Sequence, residues 1–247
     1  MNFDVILPQR FLGKILRFPL RFIPKDLKVP LWHGKLRGQW WIVGSSNHGY
    51  WLGIYEPAKR VIFESMVKEG QIVFDIGAHV GYYTLLSSIL VGPMGQVFAF
   101  EPLPENLFYL KEHLRLNRIT NVTVIDAAVD YHCGNAFFSK GRGFSRVTSH
   151  LSPQGEIEVQ TIGLDESIGI GQLPIPDILK IDVEGAEGKV LSGARQTLSQ
   201  YHPTIFLDTH GAAIHQECCE LLTALGYSLQ LLDRKHTQYY EVLAYIK

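Results

Sequence analysis

The sequence predicts an α/β protein with a mostly parallel, seven-stranded buried sheet, an N-terminal extension and a β-hairpin insertion. Three observations predict it. From Gln71 onward, short runs rich in β-branched and aromatic residues alternate with segments of helical periodicity. The runs are apolar throughout, as expected of parallel strands covered on both faces. The last two runs, 227–232 and 240–246, have no helix between them, so the final strand is expected to insert antiparallel.

The elements follow in order. Residues 1–37 form a basic arm in which Pro8, Pro19, Pro24 and Pro30 prevent one long helix. A short amphipathic piece is expected near 10–18. Residues 38–54 read as two short strands around Gly44-Ser-Ser-Asn-His-Gly49, and 55–67 as a helix. Residues 38–70 thus form a lead-in hairpin and helix, and 71–247 the main domain. There the spacing predicts a strand at 72–76, a helix at 80–90, a strand at 96–100, a helix at 104–117 begun by a first-turn proline, and a strand at 122–125. Ala136-Phe137-Phe138 and Ile157-Glu158-Val159 are expected to pair as the inserted hairpin. A strand at 177–181, a helix at 186–198, a strand at 203–207 and a helix at 214–225 complete the alternation.

Composition sets bounds on function. The 247 residues are 46% hydrophobic and 19% charged, an ordinary globular balance. A chain of this length buries enough surface to need no disulfide or metal staple. Cys133, Cys218 and Cys219 offer no disulfide framework, so a reducing compartment, the cytoplasm, is expected. Residues 1–38 carry a balance of +6 and the remainder −7, which argues against nucleic-acid binding through the body. The basic arm leaves open a peripheral contact with a membrane surface. Lys14, Arg17 and Arg21 interrupt its apolar residues, so it offers no signal-peptide core.

In an open parallel sheet, ligands bind at the carboxyl ends of the strands. Here those ends carry Asp75, Glu101 before Pro102, Asp126 before Ala127, Asp182 and Asp208. A dinucleotide would need G-x-G-x-x-G, so that backbone can approach its pyrophosphate. This loop instead reads Asp75-Ile-Gly77-Ala78-His79-Val-Gly81, with His79 at the second glycine's place, and its acids would repel a diphosphate. S-adenosylmethionine has no phosphate, and its diol, adenine, ammonium and sulfonium all suit acids. Glu101 is placed for the ribose hydroxyls, Asp126 for the adenine amino group, and Asp75, the 77–81 backbone and Asp182 for the positive groups. Pro102 and Ala127 adjoin the same ligand.

The chain resembles a known family in three stretches: Asp75–Thr84, Ala99-Phe-Glu-Pro102 and Leu179-Lys-Ile-Asp-Val-Glu-Gly-Ala-Glu187. These are similar to FkbM-family S-adenosylmethionine-dependent methyltransferases, and Gly49–Glu56 is similar to that family's lead-in. The resemblance covers about residues 38–232. It implies the class I Rossmann-like fold and methyl transfer to a hydroxyl of a sugar, polyketide or lipid-linked glycan. His79 replaces the Asn of many members, and Asp208-Thr209-His210 keeps the histidine of a Glu-x-His pair with a shorter acid.

The expected reaction is O-methylation by in-line displacement, which rests on positioning and on help in removing a hydroxyl proton. His210, Asp182 and Glu184 are the candidate bases, His210 first because its unperturbed pKa of about 6.5 suits neutral pH. Tyr50, Trp51, Tyr55 and Glu56 either fold over the pocket or belong to the core. The histidine spacing contains no H-x-x-x-H with an acid in register, so no metal is expected. A non-catalytic binding module for the same cofactor is the alternative. It would keep Gly77 and Glu101 but need neither a base nor an acceptor cleft.

Overall fold

The computed structural model describes residues 20, 22–139, 150–151, 157–236 and 238–247. The amphipathic piece expected near 10–18 lies outside them.

In chain order the elements begin with β1 (Lys28–Pro30), β2 (Trp40–Ile42), α1 (Gly49–Leu52), α2 (Pro57–Met66), β3 (Ile72–Ile76), α3 (Tyr82–Val91), β4 (Gln96–Phe100), α4 (Pro104–Leu116) and β5 (Val122–Ile125). Next come β6 (Ala128–Asp130), β7 (Gly134–Ser139), β8 (His150–Leu151), β9 (Ile157–Gly163), α5 (Leu164–Gly169), β10 (Ile178–Ile181), α6 (Glu187–Ser192) and α7 (Arg195–Tyr201). The chain closes with β11 (Thr204–His210), α8 (Ala212–Ala224), β12 (Ser228–His236) and β13 (Tyr239–Tyr245).

Seven strands form the main sheet in the order β12-β13-β11-β10-β3-β4-β5, with β13 antiparallel to both neighbours as expected. Strand direction reverses no other pair, so β3, β4, β10 and β11 deliver their carboxyl ends to one edge. Side chains alternate across the sheet. Phe74, Ile76, Leu179, Ile181, Ile205 and Leu207 pack beneath α5 to α8, while Val73, Val97, Ile178 and Phe206 pack beneath α2 and α3. Both faces are therefore dry, and the strands can be apolar throughout.

The inserted hairpin forms with the expected partners, Ala136 facing Val159 and Phe138 facing Ile157. It belongs to a separate four-stranded sheet, β6-β9-β7-β8. Strand β6 was not anticipated, because three residues carry no periodicity and their pairing with β9 is long-range.

Three expectations need correction. The lead-in hairpin is shifted: β2 pairs with β1, and the second expected strand is the helical turn α1. Asn47 accepts the Gly49 N–H through its side chain at 2.9 Å, and Gly53 ends the turn in the left-handed region at φ 74. This local bonding competes with extended backbone. Leu31 and Leu36, placed in the arm by sequence, are core residues, 2% exposed each. The helix expected at 186–198 is two helices. Gly193 packs its bare Cα face on the Asp130 carbonyl, which an added Cβ would meet at 2.6 Å. Asp165 then caps α7 by accepting the N–H groups of Gln196 and Thr197, both at 2.8 Å.

Candidate active site

The carboxyl edge of β3, β4 and β10 opens into a cavity of about 420 Å³. Its floor is the turn after β3. Gly77 has φ 78 and lies so close to the end of β10 that an added Cβ would meet the Asp182 carbonyl at 1.9 Å. Only glycine fits. The Gly77 and Ala78 N–H groups are anchored on the Phe100 carbonyl at 3.0 and 2.9 Å, which locks this turn to the end of β4. His79 also takes positive φ, 52°, without glycine's freedom, and burial lowers its pKa to about 4. It is therefore neutral at pH 7.

Glu101 lines the cavity and is 4% exposed. Its carboxylate accepts the His79 N–H at 2.8 Å, the Leu103 N–H at 3.0 Å and the Asn106 amide at 3.0 Å. Burial raises its pKa against the pull of those donors. The bonds fix the carboxylate in place, with two donors on Oε1 and one on Oε2, and leave an acceptor site on Oε2 for a ligand hydroxyl.

Buried charges support the site from below. Lys180, in the middle of an apolar strand, points its ammonium at the Gly77 carbonyl (3.3 Å), Asp75 (3.5 Å) and Asp182 (3.6 Å). Burial opposes its charge, but Asp75 and Asp182 raise its pKa overall. A second buried lysine, Lys59 of α2, contacts Glu56, Asp208 and Glu241. Burial pushes Asp208 up, Lys59 pulls it back, and Asp182 and Glu56 add to the rise, leaving it at about 7.

At the rim, Asp182, Glu184 and His210 converge. His210 Nε2 lies 3.3 Å from Glu184 Oε2 and 3.8 Å from Asp182 Oδ1. Its Nδ1 bonds the fully buried Glu187 at 2.7 Å, and the same Glu187 oxygen accepts the Gly185 N–H at 3.0 Å. Burial would lower the His210 pKa, but the Glu187 bond and the carboxylates of Asp182 and Glu184 hold it up at about 9. Glu184, with φ 54, has its pKa pushed to about 7, by burial first and by Asp182 and Glu187. Burial opposes ionisation of Asp182, but Lys180, Lys59 and His210 bring its pKa below the usual carboxylate value.

Most of the residues expected at the site are brought together. Gly77, Ala78, His79, Glu101, Pro102, Asp182 and Glu184 line the cavity. Asp75 does not; it is buried behind the wall, accepting the Thr84 hydroxyl at 2.6 Å and facing Lys180, so its role is to support the turn. Gly81 likewise lies off the wall, packed on Leu110. Asp126 is exposed, and Ala127 is buried off the wall. Ala128 and Val129 form the lining there instead, so the expected adenine contact of Asp126 finds no support. His210, expected as the first candidate base, stands off the wall, edge-on to Tyr239 at 4.6 Å, with its pKa raised to about 9 by its carboxylate neighbours.

Of the lead-in aromatics, Tyr50 and Tyr55 line the cavity together with Glu56, and Trp51 does not. Sequence reasoning gave no site role to Lys180, Asn106, Phe138, Tyr239 or Glu187. A lysine between Leu179 and Ile181 in an apolar strand was a readable signal, since such burial demands partners. Tyr239 had none, because its place depends on how β13 inserts.

The residues present fit the phosphate-free cofactor. The wall offers the firmly held Glu101 carboxylate, where a diol is expected, and an acidic rim, and its one lysine is committed to carboxylates and a carbonyl. With this strand order, the fold and site define a class I methyltransferase that uses S-adenosylmethionine. The chain belongs to the FkbM methyltransferase family, whose methyltransferase FkbM domain matches residues 75–229. It is 25% identical over 173 residues to hexuronic acid methyltransferase AglP of Haloferax volcanii, covering 70% of this chain and 69% of that protein. It is 27% identical over 169 residues to 2-O-methyltransferase NoeI of Sinorhizobium fredii, covering 60% of this chain and 69% of that one. Among solved structures it is similar to methyltransferase FkbM from Methylobacillus flagellatus, with TM-score 0.52 and 20% identity over 71% of this chain and 43% of that one.

Proposed function

We propose that this methyltransferase acts on a hydroxyl of a sugar or glycan acceptor. The observation that carries the reading is that one cavity holds both the diol-binding Glu101 and the carboxylates of Asp182 and Glu184, beneath an aromatic wall that includes Tyr50, Tyr55, Phe138 and Tyr239. Aromatic faces suit the apolar faces of a sugar ring, and carboxylates suit its hydroxyls. The names of AglP and NoeI, a hexuronic acid methyltransferase and a 2-O-methyltransferase, support the same reading.

When bound, S-adenosylmethionine supplies a methyl group on positive sulfur. The chain's own work is to grip the cofactor diol through Glu101, to align the acceptor, and to keep acids beside the hydroxyl that must lose its proton. The reading includes work in the cytoplasm, which three free cysteines support, and contact with a membrane surface through the basic arm.

The test is transfer of labelled methyl from S-adenosylmethionine to a panel of uronic acids, neutral sugars and glycans, with S-adenosylhomocysteine release measured in parallel. Label in an ether-linked O-methyl sugar is the expected result. Binding of the cofactor with no transfer to any hydroxylated acceptor, or label on nitrogen or carbon, would overturn it.

A further inference from the structure

The acids at the cavity rim and the histidine behind them are spaced to hold an ion. Asp182, Glu184 and His210 each offer one ligand atom, and the three atoms lie within 4.8 Å of one another. Donors on an ion bound at about 2.0–2.2 Å stand roughly 3 Å apart when adjacent and about 4 Å apart when opposite. The 3.3 and 3.8 Å separations from His210 Nε2 fall in that range with no movement of the backbone.

A second observation points the same way. His210 Nε2 is buried and makes no hydrogen bond, although the residue is otherwise firmly held. Its Nδ1 is fixed by Glu187, itself 0% exposed and tied to the Gly185 N–H. A carboxylate that binds one imidazole nitrogen and turns the other towards two carboxylates is the usual outer support of a metal-bound histidine. Lys180 stands on Asp182 Oδ2, so Oδ1 remains for the cluster. Asp182 and Glu184 line the cavity while His210 stands behind them, so an ion held by all three would keep its open positions towards the acceptor.

We infer that Asp182, Glu184 and His210 form a site for a divalent cation, with Mn²⁺ the best match to two carboxylates and one imidazole. This rests on the O-methylation reading and deepens it. His210 Nε2 gives up any proton when it takes the ion, and the bound ion takes the acceptor oxygen as a ligand and acidifies its O–H. The proton passes to water, the oxygen forms its bond to the methyl carbon, and the carbon–sulfur pair returns to sulfur, which becomes neutral. The sequence spacing hid this site, because its ligands come from the ends of two strands, β10 and β11.

The test begins with chelator-stripped full-length protein, titrated with MnCl₂ and followed by calorimetry and by the electron paramagnetic resonance of free Mn²⁺. One ion per chain is expected, with affinity at least 10-fold weaker in His210→Ala and roughly 10–100-fold weaker in Glu187→Gln. S-adenosylhomocysteine affinity, measured on the same samples, reports that each variant is folded. Methyl transfer should fall at least 100-fold on stripping and return with Mn²⁺.

Stripped wild-type protein that binds S-adenosylhomocysteine but none of Mn²⁺, Mg²⁺ or Zn²⁺ overturns the inference, as does binding that His210→Ala and Glu187→Gln leave unchanged. Sugar methylation indifferent to the chelator would sink the ion alone. Stoichiometric ion binding without methylation of any sugar would sink the acceptor reading alone.

Discussion

The turn after β3 makes a sharp quantitative prediction through Gly77→Ala. Two costs add there. An alanine at φ 78 occupies the left-handed region, at about 1–2 kcal/mol. Its Cβ would also lie 1.9 Å from the Asp182 carbonyl, where a carbon–oxygen contact needs about 3.3 Å. The ends of β3 and β10 must then part by more than about 1 Å, an overpacking cost of roughly 1–3 kcal/mol.

Gly70 supplies the control. It has φ 83 and would meet nothing within 4 Å, so Gly70→Ala bears the first cost alone. Thermal unfolding should show Gly77→Ala several degrees less stable than Gly70→Ala, at about 2–4 °C per kcal/mol for a chain of this size. Calorimetry should show S-adenosylhomocysteine affinity at least 10-fold weaker in Gly77→Ala and unchanged in Gly70→Ala. Equal stabilities and equal affinities for the two variants would refute the close approach as the reason for glycine.

Other perturbations read other parts of the structure. Glu101→Ala removes the carboxylate held by His79, Leu103 and Asn106, and should weaken cofactor binding by roughly 10–100-fold in calorimetry; an unchanged Kd would contradict its role. Lys59→Met leaves Glu56, Asp208 and Glu241 facing one another without their cation, and urea unfolding should report a loss of about 3–5 kcal/mol. Pairing it with Asp208→Leu should recover part of that loss, and strict additivity would refute the coupling.

His113 gives a pH prediction. Its Nδ1 donates to the Val80 carbonyl at 2.8 Å, so its Nε2 must stay unprotonated to accept the Ile42 N–H at 3.1 Å. Burial lowers its pKa to about 4. The folded value lies below the unfolded one of about 6.5, so this stability is complete above pH 6.5 and is lost as pH falls towards 4, to a total of roughly 3 kcal/mol. Thermal midpoints across that window should fall less steeply in His113→Gln than in the wild type, and parallel slopes would rule the mechanism out.

Much of this protein was legible in its linear order. Apolar runs ending in acids, separated by helical periodicity, determine a parallel sheet whose carboxyl edge is acidic, because burial on both faces makes the strand ends the least costly places for an unpaired charge. The same reading located Gly77, Glu101 and Asp182 at the cavity, since each follows its strand directly, and Glu184 two residues beyond Asp182. Asp126 obeyed the same rule and still fell outside, as the chain turns at once into β6 and presents Ala128 and Val129 instead.

What the tertiary structure decided was charge state and company. His210 looked like a base because an isolated imidazole titrates near neutrality; packing it against Glu187, Asp182 and Glu184 raises its proton affinity and turns Nε2 towards two carboxylates. Strand β13 brought Tyr239 to the cavity from the far end of the chain, and α2 brought Lys59 to Asp208. Local patterns specify which backbone forms, because they act between near neighbours. Proton affinity and ligand geometry depend on groups that only folding brings within a few ångströms of one another.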